Sequence, residues 1–172
     1  MKLAILAAFV LAYPASLVAQ INQGPKEFAE IPWSATEAEA KTKLLTQPGV
    51  TFWKPMPDKN KLLFNGGSFA GMNVSTWHLY FAGGKFSQGM VDFQGGGKPA
   101  YAKVKLQLIS KYGRPKTEKV VREELETVWE FPAGPGTPHT TIHLELHGES
   151  PKLYYRNESL SRPTGGSGGA GL

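Results

Sequence analysis

The sequence predicts an α+β domain, an antiparallel β-sheet with two helices on one face. Three observations carry this. Two segments have helix start and stop signals at both ends, several others alternate apolar and polar residues with a period of two, and glycine turns join the alternating segments in place of helical crossovers. The helices and strands also recur at nearly one offset, which predicts a tandem duplication of an α-β-β-β unit, with half-repeats at 31–95 and 96–160.

The chain opens MKLAILAAFVLAYPASLVAQ, with one lysine ahead of an apolar run from Leu3 to Ala12 that is too short to anchor in a bilayer. That pattern predicts a secretory signal peptide over residues 1–19, cut at Ala19–Gln20, and no transmembrane anchor after its removal. Cysteine is absent from all 172 residues, which excludes disulfides, thiol catalysis and a lipid-bearing cysteine. Export without disulfides points to a bacterial periplasm or the external medium. One domain is expected over 20–161, followed by a flexible tail, RPTGGSGGAGL, over 162–172 with almost no apolar surface to bury.

Ser34-Ala35-Thr36-Glu37 reads as a capping box, so the first helix is expected from Ala35 to Thr46. Glu37–Lys41 and Glu39–Lys43 support it as four-residue ion pairs, and Pro48-Gly49 stops it. From Met72 to Phe81 the alternation puts Trp77, Leu79 and Phe81 on one face and His78 and Tyr80 on the other. Ala82 to Lys85 turns the chain and Lys85 to Gln94 returns beside it. Pro99 suits the first turn of a second helix, and Gly113 and Pro115 end it; Tyr101, Val104, Leu108 and Tyr112 line its inner face, with Ile109 beside them. Lys105 interrupts that face and must bring its ammonium out to water. Strands are then expected at Thr127–Phe131, at Thr140–His147 with Ile142, Leu144 and Leu146 inward, and at Leu153–Arg156.

Ile31-Pro32-Trp33-Ser34 and Lys111-Tyr112-Gly113-Arg114-Pro115 resemble a class of small exported bacterial α+β domains, whose first helix follows an "IPW" start and whose second exits at "KYG.P". The resemblance covers about 25 residues; serine stands here where the class has glycine after the tryptophan. What it implies is architecture, with no catalytic residue carried across.

The stretch FQGGGKPAY, Phe93 to Tyr101, invites a phosphate-loop reading. Pro99 follows Lys98 where such a loop needs a hydroxyl residue for the metal, and the preceding strand alternates like a hairpin member, so a hinge is expected. On the strand Thr140–His147, His143, Glu145 and His147 share one face, and two neighbours of that row with a ligand from an adjacent strand form an alternative metal set; His78 is the counterpart suggested by the repeat. The simpler expectation is a polar outer face with no metal and no cofactor. There is no Gly-x-Ser-x-Gly elbow and only two aspartates, so no catalytic residue is assigned.

Between Lys98 and Arg122 stand eight basic residues and one acid, Glu118, in a chain of net charge +5. Two binding surfaces follow as candidates. One is basic, through Lys103, Lys111, Arg114 and Lys116; the other is a sheet face carrying His78, Tyr80, His143 and Tyr154. The functional expectation is a non-catalytic exported binding module whose partner is another protein or an anionic envelope component. Nucleic acid is disfavoured by export and by the lack of a binding motif. A small-ligand carrier or a metal-dependent enzyme is the alternative.

Overall fold

The computed structural model describes residues 24–121 and 124–161. The expected signal peptide and the glycine-rich tail lie outside the described residues. The fold is α+β. After a short hairpin, β1 (Glu27–Phe28) and β2 (Ile31–Pro32), come helix α1 (Glu37–Leu45) and strands β3 (Val50–Met56), β4 (Lys61–Gly66), β5 (Ser68–Phe69), β6 (Met72–Ala82) and β7 (Lys85–Phe93). Helix α2 (Gly97–Tyr112) then leads into β8 (Thr117–Val121), β9 (Glu124–Phe131), β10 (Thr140–His147), β11 (Ser150–Asn157) and a one-turn helix, α3 (Glu158–Ser161).

Eight strands form one sheet in the order β3-β4-β6-β7-β11-β10-β9-β8, with β5 paired to the start of β6 and every pairing antiparallel. Helices α1 and α2 are thus each followed by four strands of the main sheet where three were expected. Strands β7 and β11 join the two meanders at the centre.

The alternation sets the faces. Trp77 and Leu79 of β6, Val91 of β7, Leu153 of β11 and Ile142 and Leu144 of β10 are fully buried. They share one core with Ala40 and Leu44 of α1 and Tyr101, Val104 and Leu108 of α2. The β6–β7 hairpin closes through Gly83 and Gly84, both at positive φ, the two-residue turn whose twist matches the strands it joins.

Helix α1 begins two residues later than expected. Its cap is Thr36, whose hydroxyl accepts from the Glu39 amide while the Glu39 carboxylate accepts from the Thr36 amide. Ser34 is unsuitable because it is tied into the sheet: its amide donates to Phe86 O at 3.0 Å, the Phe86 amide donates back to Ala35 O at 2.7 Å, and Ser34 sits at φ 71°. Trp33 stacks on Phe86, with ring centres 5.3 Å apart, and its indole N–H donates to Pro25 O.

The β1–β2 hairpin plugs the core. Phe28 packs against Phe69, Trp77, Phe86 and Tyr155 with ring centres 5.4 to 6.2 Å away. It lies over Gly89, where a Cβ would come within 2.1 Å of its ring. Residue 89 is glycine because an aromatic ring occupies the place of its side chain.

Candidate functional site

The face of the sheet opposite the core carries the polar half of each alternation. Cross-strand register orders it in rows. Leu63 of β4 pairs with His78 of β6, His78 with Met90 of β7, Met90 with Tyr154 of β11, Tyr154 with His143 of β10, and His143 with Val128 of β9. Three of the four residues expected on an aromatic face therefore fall in one row, and the fourth, Tyr80, lies beside it, its ring stacked with His78 at 6.3 Å. Leu63 and Met90 are buried within the face, while His78, Tyr80, His143 and Tyr154 are partly buried, with the His78 side chain 15 % exposed. Such a surface has a dry centre and polar tips.

His78 is held on both sides. Its Nε2 lies 2.9 Å from Asp92 Oδ2 and its Nδ1 3.4 Å from Lys61 Nζ. Asp92 Oδ1 has no hydrogen-bond donor among the described residues, with Lys152 Nζ 3.9 Å away. Burial lowers the Lys61 ammonium from its ordinary range, and burial followed by the charge of Asp92 raises the Tyr80 phenol. A histidine paired with a carboxylate resembles part of a hydrolytic triad. The hydrogen bonds of this imidazole go to Asp92 and Lys61, and among the described residues it bonds to no serine or threonine hydroxyl.

The second cluster lies on β9 and β10. Glu126 is the register partner of Glu145, and one donor atom each from Glu126, His143 and Glu145 lie within 4.8 Å of one another. His143 Nδ1 is 3.7 Å from Glu126 Oε1. His147 stands to one side, Nδ1 3.0 Å from Glu124 and Nε2 3.4 Å from Glu145. Two neighbours of the row expected from the sequence, His143 and Glu145, thus converge with a third ligand from the adjacent strand, Glu126, while His147 stays outside the set. His143 and His147 are four residues apart along a strand, about 13 Å, and the third member comes from β9. His78 sits on β6, three strands from β10.

The basic segment is dispersed. Lys105 pairs with Glu118 at 2.5 Å, Lys116 with Glu130, and Lys119 with Glu126 at 3.8 Å. Two of these acids come from β9, outside the segment in which the lysines were counted. Lys103 and Lys111 are exposed on α2, where Lys103 donates to Gly71 O and Lys111 lies 5.1 Å from the Tyr112 ring. Arg114 is exposed in the loop that follows.

At FQGGGKPAY, Gly95, Gly96 and Gly97 all take positive φ and turn the chain from β7 into α2. The Gly97 amide donates to Glu149 O at 2.8 Å, and a Cβ at Gly97 would lie 2.7 Å from the Glu149 carboxylate. Glu124 and Glu149 both line the adjoining groove. The protein's own Glu149 carboxylate faces this helix start, which disfavours a phosphate there, although Lys98 lines the same groove. A smaller cleft of about 280 Å³ opens between α2 and the β5 turn, walled by Phe69, Val104, Leu108, Leu153 and Tyr155, with Lys111 on its lining.

Comparison with family models, with curated proteins and with solved structures finds no match to this chain. No helix among the described residues is long and apolar enough to cross a membrane.

Proposed function

We propose that the protein is a non-catalytic exported module that binds another protein through the open face of its sheet, and that a tandem duplication built that face, with both helices on the opposite side. The observation that carries the reading is the row His78, Met90, Tyr154, His143. Its dry centre between partly buried aromatic and imidazole side chains has the composition of a recognition surface.

The duplication is supported by the register. In the first half Lys54, Leu63, His78 and Met90 form a cross-strand row; in the second, Thr117, Val128, His143 and Tyr154 do. Matching members are 63, 65, 65 and 64 residues apart, counting 54 to 117, 63 to 128, 78 to 143 and 90 to 154. The last pair, Met90 and Tyr154, face each other across the antiparallel seam. Equivalent residues meeting in this way is what a local two-fold axis requires.

Export rests on Lys2 and the apolar run Leu3 to Ala12, and places the module in the periplasm or the medium. The sheet face is preferred to the basic segment because Lys105, Lys116 and Lys119 already have carboxylate partners. The alternative, a small-ligand carrier, is supported by the cleft beside α2.

Capture from the periplasmic or culture fraction of the producing cell tests the reading, using wild type, a Tyr80→Ala/Tyr154→Ala variant and a Lys103→Glu/Lys111→Glu variant. Binding should survive both the charge reversal and about 0.5 M salt, at which exposed charges are screened within roughly 4 to 5 Å. It should be lost in the tyrosine variant. Capture that fails in salt and in the lysine variant, yet persists without the tyrosines, would transfer the site to the basic surface.

A further inference from the structure

The β9–β10 pairing sets Glu126 directly opposite Glu145 on the open face. Like charges in that position repel. Among the described residues, the basic side chains within 4 Å of this pair are Lys119, whose Nζ is 3.8 Å from Glu126 on a largely exposed side chain, His143, and His147 beside Glu145. His143, two residues before Glu145 on β10, brings an imidazole nitrogen to the same spot, and the three donor atoms fall within 4.8 Å of one another. The ligands stand on two hydrogen-bonded strands, so the backbone positions are fixed and only side-chain rotation remains to be ordered.

We propose that Glu126, His143 and Glu145 form a binding site for a divalent transition-metal cation, with Zn²⁺ as the ion that fits. One imidazole nitrogen and two carboxylate oxygens are ligands zinc takes, at about 2.0 to 2.2 Å. Around a tetrahedral ion such ligands stand about 3.4 Å apart, so separations that all lie within 4.8 Å need to close by no more than roughly 1.5 Å on binding. Rotation of half-exposed glutamate and histidine side chains supplies that movement. The imidazole distinguishes the site from an acidic patch suited to Ca²⁺ or Mg²⁺, which prefer oxygen alone.

The surroundings support the ligands. His147 contacts Glu145 and is itself held by Glu124. Tyr154 is the register partner of His143 and stands beside Glu145. Neighbours of this kind orient the ligands and tune their basicity. The ion would occupy the end of the His78–His143 row that carries three glutamates. The inference does not rest on the partner reading, since it concerns the ion alone.

The test is calorimetric titration of ZnCl₂ into full-length mature protein, purified without an affinity tag and stripped with chelator. Wild type should take up one equivalent. His143→Ala and Glu126→Gln should each abolish saturable uptake, and Tyr154→Phe should weaken it by about tenfold. His139→Ala should leave it unchanged. Circular dichroism of each variant establishes that it is folded, and the conservative Glu126→Gln keeps the test decisive if His143→Ala is not. Absence of saturable uptake by wild type overturns the proposal. So does uptake that survives both ligand variants, or uptake that depends on His139.

Discussion

Met90 and Tyr154 are register partners across the β7–β11 seam, the line along which the two four-strand meanders become one sheet. Side chains directly opposite on one face contribute roughly 0.2 to 1 kcal/mol beyond alanine. A double-mutant cycle of Met90→Ala and Tyr154→Ala, measured by urea denaturation, should return a coupling of about 0.5 kcal/mol. Strict additivity would mean that the seam is held by backbone bonds and core packing alone.

Gly89 and Phe28 are coupled through packing. With a Cβ only 2.1 Å from the Phe28 ring, Gly89→Ala overfills the core and should cost about 1 to 3 kcal/mol. Phe28→Ala removes a ring that is 1 % exposed and should cost about 3 to 5 kcal/mol. The double variant should be more stable than the sum of the two losses predicts, because the added methyl then occupies space the ring vacated. Simple additivity in chemical denaturation would contradict this packing.

The helix cap offers a sharper comparison. Thr36→Ala should lower stability by about 1 kcal/mol, whereas Ser34→Ala, whose hydroxyl makes no cap hydrogen bond, should have a much smaller effect. The Thr36 amide and then its hydroxyl hold the Glu39 carboxyl below its ordinary range. A lowered carboxyl contributes stability above its unfolded pKa that fades as acid protonates it. The gap between wild type and Glu39→Gln should therefore narrow as the pH falls below about 4. A gap that stays constant with pH would remove Glu39 from the cap.

This displaced cap shows where the sequence was legible and where it was not. Both Ser34 and Thr36 stand three residues before a glutamate, and local grammar cannot choose between them. The choice is made by Phe86, which comes 52 residues after Ser34 in the chain and clips it to the sheet. Helix α2 and the hairpins β6–β7 and β10–β11 were readable because glycine and proline punctuate them and one face of each strand is buried. Strand β4 hid itself: Leu62, Leu63 and Phe64 are all buried, so the period of two disappears. Strands β3 and β8 are sheet edges, largely exposed, one containing Pro55 and the other reading TEKVV, so little apolar pattern was available. The aromatic face was legible as parity along β6, β10 and β11, but its assembly into one row depends on β7 lying next to β11. The charge balance of the basic segment was hidden for a related reason: the glutamates that pair with Lys116 and Lys119 arrive from β9 through sheet pairing.

Alkaline stability follows from two buried phenols. Burial, opposed in part by the Thr127 hydroxyl 2.5 Å away, raises Tyr101; burial and then Tyr112 raise Tyr155 well above the ordinary range. A group whose folded pKa is raised keeps its proton after the unfolded chain has lost it. Stability is thus unaffected below about pH 10 and falls as the pH rises beyond it. In a spectrophotometric titration, the tyrosinate signal of these residues should appear together with the loss of near-ultraviolet circular dichroism. Ionisation of every tyrosine while the fold remains intact would contradict their burial.

The central claim is that the open sheet face meets a protein, and site-specific photo-crosslinking in the producing cell tests it most directly. A benzophenone amino acid placed at Tyr154, at Tyr80, or at the helix-borne Lys103 reports which face a partner touches. The account predicts one discrete protein adduct from positions 154 and 80 and none from 103. Adduct formation from position 103 alone, with both sheet-face positions silent, would contradict it.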